Sequence, residues 1–274
     1  MRIALQLFEL LLPALYFWTV WAYGRSFFSG IKRADEIKGP LLFSTLLTHT
    51  IYIGLRALAY DHPPITSVFE IFSLIAFTVT LSYAYIEFRT KNRTTGYFIL
   101  VLPFFFQTIS SIFIRETTSI PPMLHSTLLG IHVSSALLGM AAITLSAVYG
   151  MLYLMLYHDL KSSQFGVIYK RLPNLEVLER MSFNSTKFGF VLLTIAIGIG
   201  MVWLPRAVPN FSYTDPKLFG TMAVWLIYGA GFGARTLAGW QGRRIIVFSL
   251  IGFVLSIFSM TIINILFTGF HKFY

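Results

Sequence analysis

Eight apolar stretches, each long enough to cross a bilayer as a helix, alternate with polar connections along the chain. A helix needs about 20 mostly apolar residues to cross the hydrocarbon core. Because lipid cannot satisfy exposed backbone groups, the pattern predicts an all-α, polytopic membrane protein with about eight transmembrane helices. The predicted spans, within a single membrane domain of residues 1–274, are 3–23, 41–60, 67–88, 96–114, 124–157, 186–205, 218–237 and 245–268.

The composition agrees with a chain surrounded by lipid. Hydrophobic residues make up 56% and charged residues 12% of the sequence, whereas a soluble domain carries about 25% charged residues. The chain has no cysteine, which excludes disulfides, thiolate metal sites and thiol–disulfide chemistry carried out by this chain alone.

The basic residues predict an orientation in the membrane. Of the 21 Lys and Arg residues, 15 fall in the connections after the first, third, fifth and seventh spans. Cytoplasmic connections are enriched in Lys and Arg, so both termini are expected on the outer side. The net charge of +10 is thereby explained by topology and by contact with membrane lipid, and a nucleic-acid partner is not expected.

Two histidines are predicted toward the outer face on different helices, His132 in span five and His271 after span eight. A bis-histidine haem iron needs two neutral imidazoles at the same depth, surrounded by apolar and aromatic walls. His132 and His271 are the best-placed pair for this role. The alternative is that His132 forms a hydrogen bond between helices and that His271 is an interfacial polar residue.

The other histidines have simpler interpretations. His49, in the middle of span two, is interpreted as a hydrogen-bonding residue between helices, with iron ligation as the alternative. His62 and His125 are expected at the water boundary, and His158 at the cytoplasmic rim.

Charged residues near the outer ends of spans two and three are candidates for function, because charges in membranes are costly. Asp61-His62-Pro63-Pro64 predicts a tight turn, which makes the two helices antiparallel neighbours. An Arg56–Glu70 ion pair is then expected. The functional alternative is that Arg56 binds an anionic group such as a haem propionate, since Arg pairs with carboxylates bidentately.

Two connections carry further candidates. The outer loop of residues 205–217 contains Tyr213, Asp215 and Lys217 and is long enough to cover a planar ligand. In the basic cytoplasmic connection, residues 173–176 predict the start of a short interfacial helix that Asn174 caps.

Several segments together resemble the cytochrome c assembly family, which contains the CcsA, CcmC and HemX proteins. The resemblance is carried by residues 56–70, by residues 122–133 with His132, by Asp215-Pro216-Lys217, and by a C-terminal series. That series comprises Trp225, Tyr228, Arg235, Gly252, Phe253, Asn264 and His271. Two departures point to the HemX-like branch. Residues 211–214 replace a tryptophan-rich stretch, and Ala234 stands at the position of a membrane-embedded histidine.

The resemblance implies a haem-handling protein, and a cysteine-free chain with basic cytoplasmic connections fits a bacterial cytoplasmic membrane. Haem b would be held near the outer face by His132 and His271, with Arg56, Tyr213, Asp215 and Lys217 as further contacts and cytochrome c assembly proteins as partners. The alternative is a membrane scaffold that regulates haem biosynthesis through glutamyl-tRNA reductase. A third hypothesis is a small-molecule transporter. Many transporters contain inverted repeats, and none is evident in this sequence. The sequence shows no nucleophile–base pair and no metal-ligand spacing, so we expect a binding protein rather than an enzyme.

Overall fold

The computed structural model of the protein describes residues 2–115, 126–163, 165–207, 212–214 and 216–266. Within these ranges the chain is helical and contains no β-strand. The helices are α1 (Arg2–Gly24), α2 (Lys32–Tyr60), α3 (Val68–Thr90), α4 (Gly96–Phe113), α5 (Thr127–Lys161), α6 (Val167–Arg171), α7 (Leu175–Ala207), α8 (Pro216–Thr236) and α9 (Arg243–Leu266). A π-helical turn, Arg25–Ser29, follows α1 directly. The predicted all-α class is confirmed.

Six of these helices are long and apolar enough to cross a membrane: α1 with its π-turn, α2, α3, α4, α5 and α7. They match the first six predicted spans. Helices of 21 and 24 residues, α8 and α9, occupy the last two predicted positions. The count of eight spans and the outer placement of both termini stay predictions.

One helical boundary differs from its prediction. The residues expected to begin a separate interfacial helix are the first turns of α7, a continuous helix of 33 residues. The Val177 backbone N–H donates to Asn174 Oδ1 at 2.9 Å, so the predicted cap is confirmed. No Gly or Pro interrupts residues 175–188, so the helix continues from the cap into the apolar span.

The described helices fall into two compact units, with α1–α4 in the first and α5–α9 in the second. In the first unit, α1 packs against α2 and α4, and α3 packs against α4. Large tyrosines fill its centre, among them Tyr16, Tyr23 and Tyr83. Gly96 begins α4 where a Cβ atom would lie 2.3 Å from Tyr83 Oη, so only glycine fits this close approach. The single domain of residues 1–274 stays a prediction.

In the second unit, α5 and α7 lie side by side along much of their length. Small residues permit this approach, because a Cβ on Gly189 would lie 2.8 Å from Ile143 Cγ1. Hydroxyl groups join the same helices: Ser146 Oγ lies 2.7 Å from Thr186 Oγ1 on α7 and 3.0 Å from Ser249 Oγ on α9. Small residues and hydroxyls are the usual means of packing helices in lipid.

Candidate functional site

His132 lies in the second turn of α5, half-buried against α7. Its Nδ1 atom is 2.8 Å from the backbone oxygen of Ala196. A carbonyl oxygen can only accept, so Nδ1 carries the proton, and in a neutral ring the basic nitrogen would be Nε2. Metal-ligating histidines have this arrangement, in which the second ring nitrogen donates to a fixed oxygen. The predicted iron ligand is therefore held in the appropriate tautomer.

Gly200, one turn after Ala196 on α7, makes room for the imidazole. A Cβ atom at Gly200 would lie 3.1 Å from His132 Cε1 and 3.3 Å from Nδ1. That separation is tighter than ordinary van der Waals contact, so a larger residue would displace the ring. The position of His132 thus depends on two features of α7, a carbonyl and a missing side chain.

Arg56 is 3% exposed and has several partners within the first unit. Its Nε donates to Glu70 Oε1 at 2.9 Å, and its Nη1 donates to Glu9 Oε1 at 3.4 Å. The guanidinium also lies over the Tyr60 ring, with 5.0 Å from Cζ to the centroid. The predicted Arg56–Glu70 ion pair is present. Glu9, a single carboxylate within the apolar α1, was not predicted from the sequence.

Glu70 also organises the turn between α2 and α3. Its second oxygen accepts from the Thr66 backbone N–H and from Thr66 Oγ1, each at 2.7 Å. Ser67 Oγ caps α3 by accepting from the Glu70 N–H at 3.1 Å. Since both carboxylate oxygens are used, Glu70 ties the Arg56 cluster to the start of α3. The remaining Arg56 nitrogen, Nη2, donates to the Arg115 backbone oxygen at 3.1 Å.

His49 is fully buried, and both of its ring nitrogens have partners on other helices. Ser73 Oγ donates to Gln107 Oε1 at 2.9 Å, so it accepts from His49 Nε2 at 3.0 Å. The opposite nitrogen, Nδ1, then accepts from Tyr16 Oη at 3.0 Å. This chain joins α1, α2, α3 and α4 through a neutral imidazole. His49 therefore forms hydrogen bonds between helices, as it was interpreted from the sequence. Neither of its ring nitrogens has a lone pair left to bind iron.

His62, which is predicted at the water boundary, has a side chain that is only 4% exposed. Its Nδ1 donates to the Pro63 carbonyl at 2.7 Å. In the described part of the chain, Nε2 has no hydrogen-bond partner. His158 is exposed, and its place at the cytoplasmic rim stays a prediction.

The remaining predicted contacts are only partly described. Tyr213 is 58% exposed, in the short described segment of residues 212–214. His271, Asp215 and His125 lie outside the described residues, as does the side chain of Lys217. The pairing of His132 with His271 therefore stays a prediction. Over the described ranges, no group of three or more His, Asp and Glu side chains is arranged to hold a metal ion.

Comparison with known proteins places these features in context. A family model described as "Cytochrome C assembly protein" matches residues 39–271. The protein named "Cytochrome c biogenesis protein CcsA" from Guillardia theta is 26% identical over 265 residues, covering 90% of this chain and 88% of the relative. Proteins of the same name are 24% identical in Pyropia yezoensis and 26% identical in Synechococcus sp. (strain WH7803), covering 96% and 99% of this chain and 93% of each relative.

Proposed function

Because this chain belongs to the cytochrome c assembly protein family, we propose that it is a multi-pass membrane protein of cytochrome c biogenesis that holds haem near the outer membrane face. His132 and His271 are the proposed iron ligands. Membership of the family supports a role in cytochrome c biogenesis. The two iron ligands are proposed from the residues themselves.

The observation that carries the proposal is the tautomer of His132. Its Nδ1–H is committed to the Ala196 carbonyl at 2.8 Å, so the nitrogen directed to iron would be Nε2. A donor bond to a fixed carbonyl makes the opposite nitrogen a better ligand and holds the ring plane. The residues present at this position therefore fit an axial ligand. When bound, haem would supply an iron centre that the imidazoles of His132 and His271 would hold.

Further contacts are proposed from the chemistry of the side chains. Tyr213 is exposed and, together with Asp215 and Lys217, would cover the haem. Contact of Arg56 with a propionate stays a prediction, since its Nε, Nη1 and Nη2 donate to Glu70, Glu9 and the Arg115 carbonyl. The ligand is proposed to be haem b, the form that has no thioether bonds to protein.

The chain is proposed to present haem rather than to catalyse its attachment. With no cysteine, it cannot itself reduce a disulfide of the apocytochrome by thiol exchange, so the reductants of the apocytochrome thiols must come from other assembly proteins. The proposed location is a bacterial cytoplasmic membrane, on the basis of the cysteine-free sequence and its basic connections.

Regulation of haem biosynthesis through glutamyl-tRNA reductase is the less favoured function. The relatives described above are named for cytochrome c biogenesis, which favours haem handling. Assignment to the HemX-like branch, based on residues 211–214 and Ala234, stays a prediction.

The test is the visible spectrum of detergent-purified protein, as isolated and after dithionite reduction. We expect a Soret band and sharp reduced α and β bands that are lost in His132→Ala and in His271→Ala. His158→Ala is the matched control, because this exposed histidine lies at the opposite end of the same helix, and its spectrum should equal that of the unmodified chain. Gly200→Ala should weaken haem affinity about 10–100-fold, as disturbing a supporting contact to a ligand does.

Two results would contradict the proposal. One is the absence of a Soret band after haem is added to correctly folded protein. The other is an unchanged reduced spectrum in His132→Ala, which would assign the iron to other ligands.

A further inference from the structure

Four aromatic rings, contributed alternately by α7 and α8, form a stack that we call the α7–α8 aromatic ladder. Phe183 and Phe232 have centroids 6.2 Å apart and planes 8° apart. Phe232 and Phe190 follow at 6.2 Å and 11°, and Phe190 and Trp225 at 5.5 Å and 23°. Trp225 Nε1 donates to Thr194 Oγ1 at 2.8 Å, which fixes the last ring. All four rings are half-buried, so the ladder leaves an aromatic strip accessible along two helices.

Two cations meet at the first ring of the ladder. Arg235 Cζ lies 4.3 Å from the Phe183 centroid, and Lys187 Nζ lies 5.4 Å from the same centroid. Arg235 is bonded to Glu179 through Nη1. Lys187 is exposed and forms no ion pair within the described ranges. The cluster therefore carries one uncompensated positive charge at the end of an aromatic strip.

The depth of this cluster follows from the spacing of charges on the two helices. On α7, Lys187 and Arg206 are separated by a span of apolar residues that is about 28 Å long at 1.5 Å per residue. On α8, the spacing from Lys217 to Arg235 corresponds to about 27 Å. Both lengths match a hydrocarbon core of about 30 Å. These spacings predict that Lys187 and Arg235 lie together at one membrane boundary, on the predicted cytoplasmic side.

We infer that this end of the ladder binds an anionic phospholipid of the cytoplasmic leaflet. The lipid phosphate lies between Lys187 and Arg235, which retains guanidinium N–H donors beyond its bond to Glu179. An acyl chain lies along Phe190 and Trp225. Cytoplasmic leaflets carry anionic lipids, and basic clusters between transmembrane helices bind their headgroups. This inference is independent of haem, since it uses residues that have no part in the proposed iron site.

The experiment measures lipid binding by native mass spectrometry of the full chain in detergent, titrated with phosphatidylglycerol or phosphatidylcholine. Phosphatidylglycerol is expected to bind preferentially. Lys187→Gln should raise the dissociation constant of phosphatidylglycerol about fivefold, which is the effect of one basic residue at an anionic surface. Glu179→Gln should change affinity in the opposite direction, because it releases Arg235 from its carboxylate. Arg180→Gln is the matched control: Arg180 is an exposed cation on the same helix, outside the ladder.

Each outcome decides the matter. The opposite shifts in Lys187→Gln and Glu179→Gln, with an unchanged control, support the site. Equal affinity for the two lipids, or equal weakening by Lys187→Gln and Arg180→Gln, would overturn it in favour of diffuse surface charge. Inorganic phosphate that competes at millimolar concentration would show a free-anion site instead, and the lipid assignment would be wrong. Correct folding of each variant is checked by size-exclusion chromatography and circular dichroism.

Discussion

Replacing Glu70 with Gln tests whether the buried ion pair of the first unit holds α2, α3 and α1 together. Glu70 and Arg56 have side chains 1% and 3% exposed, and their Nε–Oε1 distance is 2.9 Å. The substitution keeps the size of the side chain but removes its charge. An amide also has only one acceptor oxygen, so either Arg56 or Thr66 would face an NH₂ group instead of an acceptor.

The magnitude follows from the surroundings of the pair. Removing one partner of a buried ion pair costs about 3–5 kcal/mol, because the other charge stays buried. Glu9 remains 3.4 Å from Arg56 Nη1, so we expect the lower end, about 3 kcal/mol. With a shift of about 2–4 °C per kcal/mol for a chain of this size, Tm should fall by about 6–12 °C.

The assay is thermal unfolding of detergent-purified protein, followed by tryptophan fluorescence. Glu36→Gln is the matched control, since Glu36 is an exposed carboxylate on α2, and such changes fall within about ±0.5 kcal/mol. A Tm for Glu70→Gln within 1 °C of the control (about 0.3 kcal/mol) would refute the reasoning.

A double substitution separates the charge from the packing. Because removal of both members of a buried pair is often tolerated, Arg56→Met combined with Glu70→Leu should be more stable than Glu70→Leu alone. If the double variant were less stable than Glu70→Leu alone, the uncompensated Arg56 charge would not explain the destabilisation caused by Glu70→Leu. That destabilisation would then come from lost packing and lost hydrogen bonds at Thr66.

Two further substitutions test contacts within the first unit by the same unfolding assay. Gly96→Ala should cost about 1–3 kcal/mol by overpacking, since its Cβ would lie 2.3 Å from Tyr83 Oη. Gly54→Ala, whose Cβ meets nothing within 4 Å, is its control, and an equal response of both would contradict the steric argument. His49→Leu should cost about 1–2 kcal/mol, the sum of two interhelical hydrogen bonds in lipid, and should leave any haem spectrum unchanged. A lost Soret band in His49→Leu would contradict the structural role assigned to His49.

Structural features that depend on residues close together in the sequence could be predicted from it. Hydropathy located the first six spans, because each must replace water with lipid along about 20 consecutive residues. The Asn174 cap and the Arg56–Glu70 pair were also predictable. A cap is a local contact, and a proline-containing turn brings two helix ends together. The C-terminal segments that carry the family resemblance are likewise sequence features, and residues 39–271 match the family model.

The contacts between distant helices were decided only by the tertiary structure. The tautomer of His132 depends on the Ala196 carbonyl of α7, and the two partners of His49 come from α1 and α3. The aromatic ladder likewise requires one rotation of α7 against α8. In water, an apolar face determines how a helix is turned toward its neighbours. In lipid, nearly every face is apolar, so hydropathy leaves the rotation of each helix open, and only close packing and hydrogen bonds select which side chains meet.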